Sequence, residues 1–269
     1  MKTNFTVTCL QTNSSERPEK NIKMLEQAFS RPQVQDSDLI CLPECVAIFS
    51  DSKKKINDFN DNWYQVFLNF ISKKAKKMNS FVLIGSLPHK KKNNKFLNRS
   101  ILVNNLGKVI SYYDKINLFD VYLDKNEKYL ESKNYDAGKS LSLANLPWGK
   151  LGLSICYDLR FPGLYKRLAK KGAIFLTIPA AFTFTTGKSH WHALIRARAI
   201  ENGCYVFAPA QCGIHENGRR TYGHSIIVNP WGEIIAQAGE KVSSINALIN
   251  VRDIEDARRK IPSMTNYKF

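Results

Sequence analysis

The residues of this chain that could do chemistry together are a cysteine, a glutamate and a lysine, each beside an apolar stretch. Cys156 follows the run at 150–155, which reads as a buried strand, and precedes Tyr157-Asp158-Leu159-Arg160-Phe161-Pro162. Residues 164–171 then read as a helix with Pro162 near its first turn. A thiol at such a corner projects past the carboxyl end of a sheet, and a nearby helix N-terminus would favour thiolate. Glu44 ends the short apolar run 39–42, directly after Pro43, where partial desolvation is expected to raise its pKa toward that of a general base. Lys115 lies in Tyr112-Tyr113-Asp114-Lys115-Ile116-Asn117-Leu118-Phe119-Asp120, an apolar setting unusual for a surface lysine. Nucleophile, base and oxyanion-stabilising cation are what acyl transfer from an amide requires.

Local sequence also allows plainer readings. Cys156 fits a small hydrophobe filling a sheet end, Glu44 a loop carboxylate or cap, and Lys115 a salt bridge to Asp114 or Asp120. None of the five histidines sits in a context suited to a Cys–His hydrolase. His190 and His192, two apart on an expected helix, face different ways. Cys41 and Cys45 flank Pro43 with no second pair following, so no metal site is expected.

The elements that must position these groups alternate between strand and helix. Strands are expected at 5–10, 39–42, 81–86, 97–103, 109–113, 150–155, 173–179, 204–208, 225–229, 234–236 and 245–251. Helices are expected at 18–29, 60–78, 164–171, 189–201 and 253–260. The two strands around Asn104-Asn105-Leu106-Gly107 read as a hairpin. Apolar residues on both strand parities imply sheets covered on both faces, hence a layered α/β fold. With no Gly-, Ser- or Pro-rich linker, residues 1–269 are expected to form a single domain.

The hydrophobic fraction of 43% excludes a disordered chain. Residues 5–10 alternate and then turn polar, unlike a secretory leader, and no apolar run approaches the roughly 20 residues of a membrane span. Six cysteines without repeating spacing suggest reduced thiols in a cytoplasm. The net charge of +17 comes largely from lysine runs at 53–55, 73–77 and 90–95. These lack interleaved aromatics and accompany no nucleic-acid motif, so they read as solvated faces rather than a nucleic-acid or membrane footprint.

Three stretches, in order, carry a resemblance: Leu42-Pro43-Glu44-Cys45, the Tyr113–Asp120 segment around Lys115, and the segment 149–162 around Cys156. They resemble the three motifs of the nitrilase (carbon–nitrogen hydrolase) superfamily. The resemblance implies a four-layer α-β-β-α sandwich, a small-molecule amide substrate, no cofactor and a homodimer or larger homo-oligomer. It implies Glu44 as base, Lys115 as cation and Cys156 as nucleophile. Glu131 matches a second glutamate near the triad, and the Tyr157 N–H would assist the oxyanion. Segments 179–213 and 222–232 look most like Nit-type amidases acting on deaminated glutathione, ahead of ω-amidases for α-ketoglutaramate and N-carbamoyl amide hydrolases. Arg160, Arg196, Arg198 and Thr186 are then candidates to hold a substrate carboxylate, with one of Arg196 and Arg198 facing the pocket. Phe182 and Phe184 are candidates to line it, or core. The chain departs from the pattern at Asn117, Ala137, Gly163 and Lys188; Asn117 and Lys188 are expected at the pocket rim.

Overall fold

The computed structural model describes residues 3–124 and 127–266. Two six-stranded sheets face each other. In spatial order the first contains Ser243–Asn250, Asn4–Gln11, Leu39–Cys41, Phe81–Lys90, Phe96–Val103 and Val109–Asp114. The second contains Ile234–Gln237, Ile226–Val228, Tyr205–Ala208, Ala173–Thr177, Gly149–Leu153 and Ser142–Leu146. In both, three central strands pair in parallel and the flanking strands pair antiparallel.

Side-chain alternation explains the layers. Phe5, Val7, Cys9, Leu39 and Cys41 point into the seam between sheets, with Leu151, Leu153, Phe175 and Phe207 in the same cluster. Phe5 anchors the seam by stacking on Trp148 at 4.1 Å between ring centroids. The opposite parity, Leu10, Ile40, Leu42, Val82 and Ile84, packs on Leu25 and Phe29 of helix Pro18–Phe29 and on Phe67, Ile71 and Ala75 of helix Tyr64–Met78. Leu164 and Leu168 of helix Pro162–Lys170 and Trp191, Ile195 and Ala199 of helix Phe184–Asn202 cover the second sheet. The result is the expected four-layer α-β-β-α sandwich.

Several boundaries differ from the sequence reading. The helix expected at 189–201 begins five residues earlier, at Phe184, because Thr183 accepts the Thr186 N–H and caps it. The β-branched and glycine residues in that first turn hide the helix from pattern reading. Gly187 there packs so closely on Tyr222 that a Cβ would stand 2.3 Å from the ring. Ser142–Leu146 and the hairpins Asp120–Tyr122/Lys128–Leu130 and Cys212–Ile214/Arg220–Tyr222 are strands too short or too polar to show periodicity. The expected helix at 60–78 starts earlier: α-helix Lys53–Asp58, capped by Ser52, continues through the wider π-helical stretch Phe59–Trp63 into α-helix Tyr64–Met78.

Several lysines of the charge-rich runs pair locally: Lys55 with Glu16, Lys90 with Asp61, and Lys91 and Lys95 with Asp136. No helix among the described residues is long and apolar enough to cross a membrane.

Candidate active site

Strand ends of both sheets deliver the three reactive side chains to one place: Glu44 and Cys156 follow central strands, and Lys115 follows the edge strand Val109–Asp114. After Leu39–Cys41 the chain turns sharply through Pro43. Gly85 on the next strand makes room, since a Cβ there would lie 2.1 Å from the Leu42 carbonyl oxygen. Cys45 takes a positive φ of 56° and donates its N–H to Ser86 Oγ at 2.9 Å. This turn holds Glu44, only 4% exposed, with its carboxylate facing the second sheet. Glu44 Oε2 accepts the Ala181 N–H at 2.8 Å; Oε1 accepts from Asn98 Nδ2 at 2.9 Å and Lys115 Nζ at 3.0 Å.

Lys115 follows the last strand of the first sheet. Its N–H donates to the Asn98 carbonyl at 3.0 Å, and its own carbonyl accepts from Gly138 at 2.7 Å. The ammonium, 2% exposed, bridges Glu44 and Glu131, reaching Glu131 Oε2 at 2.8 Å. Glu131 is held in turn by the Phe119 N–H at 2.7 Å and by Asn98 Nδ2 at 2.9 Å. Asn98 thus spans both carboxylates.

Cys156 opens a short helix, Cys156–Arg160, in the second sheet's Gly149–Leu153 strand connection. Its φ is 46°, a conformation costly for a side-chain-bearing residue, and its N–H donates to the Pro179 carbonyl at 2.9 Å. Its sulfur interacts with the Glu44 carboxylate, and each shifts the other's protonation. Asp158, buried two residues on, ties this corner to the lysine segment. Its carboxylate accepts from Tyr113 Oη at 2.8 Å, Asn117 N and Nδ2 at 3.0 and 2.8 Å, and Ile155 N at 2.9 Å.

The electrostatics correct two expectations. Burial by itself would raise the Glu44 carboxyl, but the Lys115 charge, the hydrogen bonds from Lys115 and Ala181 and the Cys156 thiol outweigh it, and its pKa is lowered. Glu44 is therefore a carboxylate at neutral pH. The Cys156 thiol is pushed well up, first by burial and then by the Glu44 charge, despite Lys115. The expected thiolate is absent at rest: no helix terminus offsets a buried anion beside a carboxylate. Lys115 stays protonated because the two carboxylates overcome the effect of burial.

These groups line a cavity of about 350 Å³. Glu44, Lys115, Glu131, Cys156, Tyr157, Phe182 and Thr186 all face it. Arg198 does not: it is buried and donates from Nε and Nη2 to the Leu159 carbonyl at 3.0 and 2.8 Å, bracing the Cys156–Arg160 helix from behind. Helical phase places it toward the core rather than the cavity. Arg196 donates to the Gly232 carbonyl at 2.8 Å. Arg160 lies outside the cavity in a neighbouring surface depression, 3.2 Å from His190 Nδ1 and against the Tyr157 and Phe182 rings. Asn117 is spent on Asp158 and Lys188 lies over the Phe184 ring, so neither forms the rim expected of it.

Sequence reading missed Asn98, Asp158 and Arg219. Asn98 had a signal: it sits at the inward parity of Phe96–Val103, between buried Phe96 and Ser100, where a polar side chain needs a partner. Arg219, in the loop before Arg220–Tyr222, had none, because only the fold brings it to the cavity wall. Among the described residues no group of three or more His, Cys, Asp or Glu is arranged to hold a metal ion.

A carbon–nitrogen hydrolase family model matches residues 6–259. A deaminated glutathione amidase of Yersinia enterocolitica is 35% identical over 272 residues, covering 99% of this chain and 94% of that protein. The solved structure of the C. elegans NitFhit protein has a TM-score of 0.91 at 34% identity; the match covers 98% of this chain and 65% of that longer one. A Saccharomyces cerevisiae structure described as a member of branch 10 of the nitrilase superfamily gives 0.86 at 31% identity, covering 99% and 97%.

Proposed function

The chain belongs to the carbon–nitrogen hydrolase (nitrilase) superfamily, as a hydrolase acting on carbon–nitrogen bonds, and on that premise we propose that it cleaves the ω-amide of a small molecule through a thioester on Cys156. The substrate class this reading favours is an ω-amide of a keto acid, such as deaminated glutathione, whose ω-amide nitrogen carries cysteinylglycine and which is the substrate in the name of the Yersinia relative. The observation that carries the reading is the convergence on one carboxylate: Glu44 meets the Lys115 ammonium and the Cys156 thiol at the floor of one cavity.

The steps follow from the charge states. The resting pair is Glu44 carboxylate and Cys156 thiol, so the proton moves as sulfur attacks the amide carbonyl rather than beforehand. The oxyanion develops beside Lys115, whose ammonium is already held in place, and beside the Tyr157 N–H at the first turn of the short helix. Glu44 then gives its proton to the departing nitrogen, and the amine leaves: ammonia from a primary amide, cysteinylglycine from deaminated glutathione. Water, deprotonated by Glu44, attacks the thioester and returns the thiol and a carboxylate product. Glu131 and Asn98 hold Lys115 and Glu44 in register throughout.

The deciding experiment is mass spectrometry of the Cys156 peptide after a brief pulse of amide substrate, alongside release of the amine (ammonia from α-ketoglutaramate, cysteinylglycine from deaminated glutathione). The reading expects an acyl adduct on Cys156 that decays at the turnover rate. Amine release persisting in Cys156→Ala would end it. Relative kcat/KM on deaminated glutathione, α-ketoglutaramate and N-carbamoyl amino acids then ranks the substrate classes.

A further inference from the structure

Most neutral polar side chains that line the cavity already have partners. The Thr183 and Thr186 hydroxyls bond each other at 2.7 Å, and Ser50 Oγ donates to Glu16 at 2.6 Å. Asn134 Nδ2 donates to the Asp51 carbonyl at 3.1 Å, and Tyr129 Oη to Glu127 at 3.1 Å. Tyr135 differs. It lines the same cavity, half-buried, yet among the described residues its hydroxyl makes no hydrogen bond. That oxygen is not sealed in either: unlike Arg219 Nε, it is absent from the fully buried side-chain atoms that lack a partner, so it is open to the cavity. Tyr157 also lines the cavity, but it borders the outer surface depression as well, where water serves its hydroxyl.

The Tyr135 ring is held in place. Its N–H donates to the Glu131 carbonyl at 3.0 Å, and its backbone bridges to Phe96, whose ring packs on its own at 5.9 Å between centroids. Asp136 extends the clamp, its N–H donating to the Phe96 carbonyl at 2.8 Å. Burial first, then Cys45, Glu131, Asp51 and Glu44, push the phenol well up from its ordinary value, so at neutral pH it is a donor. The same three carboxylates decide what it donates to. An anionic acceptor placed here meets their repulsion; an uncharged oxygen does not.

We infer that Tyr135 is a specificity-determining residue of this site, its hydroxyl donating to an uncharged keto oxygen on the acyl chain of the substrate. A keto oxygen suits the position because it accepts without carrying charge. The scissile carbonyl is a different acceptor, met by Lys115 and the Tyr157 N–H. This inference rests on the amidase reading for which bond is cleaved, but not for keto recognition itself.

α-Ketoglutarate and glutarate differ only in the keto oxygen and need no turnover. In calorimetry the wild-type protein is expected to bind α-ketoglutarate the more tightly. Tyr135→Phe, which keeps the ring on Phe96, is expected to reduce that ratio roughly 3- to 10-fold, the worth of one neutral hydrogen bond. A kinetic arm compares deaminated glutathione with its keto-free analogue, glutaryl-cysteinylglycine. Their kcat/KM ratio is expected to fall by roughly the same factor in Tyr135→Phe, mostly through KM. An unchanged ratio in either arm overturns the inference, as does an equal loss on both members of a pair, which marks a structural role. A Tyr135-dependent binding ratio without hydrolysis of either amide keeps the keto subsite and removes the amidase reading. Neither binding nor hydrolysis removes both.

Discussion

The floor and the mouth of the cavity are built on opposite plans. At the floor, two strand ends of the first sheet, its strand Phe96–Val103 and the end of the hairpin strand Lys128–Leu130 hold Glu44, Lys115, Asn98 and Glu131 in a network in which the charged atoms are bonded and almost nothing touches solvent. At the mouth, loops and short hairpins bring Arg219, Lys128, Lys133 and Asp51, partly exposed and loosely paired. A buried polar network tolerates no missing member, because each absence strands another group in low dielectric. A half-open wall tolerates exchange. The floor is therefore suited to invariant chemistry and the mouth to choosing what the chemistry acts on.

The contrast can be broken most severely at the sulfur. Cys156→Ala is expected to lower amide hydrolysis by at least about 10⁴-fold while leaving the unfolding midpoint nearly unchanged, since the side chain is small. Activity in that variant would mean the floor is not where bonds break. Next is Lys115→Met, expected to cost about 10²–10³ in kcat by removing the oxyanion's cation. It also leaves two buried carboxylates unpaired, so urea melts should show a loss of about 3–5 kcal/mol. Adding Glu131→Gln should recover part of that stability but not the rate. A strictly additive double variant would argue against a coupled floor.

Asp158→Ala sharpens the comparison from below the floor. It deletes the acceptor for four hydrogen bonds, three of which join the Cys156 corner to the Lys115 segment. We expect a loss of about 2–4 kcal/mol and a fall in kcat larger than any rise in KM, the reverse of the pattern at Tyr135. Matching kcat and KM patterns at the two positions would dissolve the distinction.

The smallest effect is on pH. Glu44 is lowered from its ordinary 4.5, so its stabilising contribution is present above that value and fades as pH falls through the lowered one. Lys115 is raised above its ordinary 10.5, so its contribution holds below that value and fades only as pH rises through the higher one. Stability from this pair, and kcat/KM if Glu44 is the base, should therefore be flat between about pH 6 and 9. A pH–rate profile with an acid limb near neutrality would show a base other than this carboxylate.

Sequence alone determined which strand ends matter. Apolar runs closed by Pro43-Glu44, by Asp114-Lys115 and by Cys156 state the position of each reactive residue relative to its own strand, because strand patterning is local. Layering followed for the same reason: both parities of the central strands are apolar. What tertiary structure decided was everything that depends on two distant segments meeting. Whether Glu44 is raised or lowered depends on the balance of burial against Lys115, 71 residues away, and the two tendencies have opposite sign. The thiol's resting state depends on the same neighbour, Glu44, as no local helix could reveal. Which arginine faces the cavity depends on helical phase for Arg198 and on loop placement for Arg219. Local periodicity encodes which side of an element a residue occupies; it carries no record of what the other sheet places opposite.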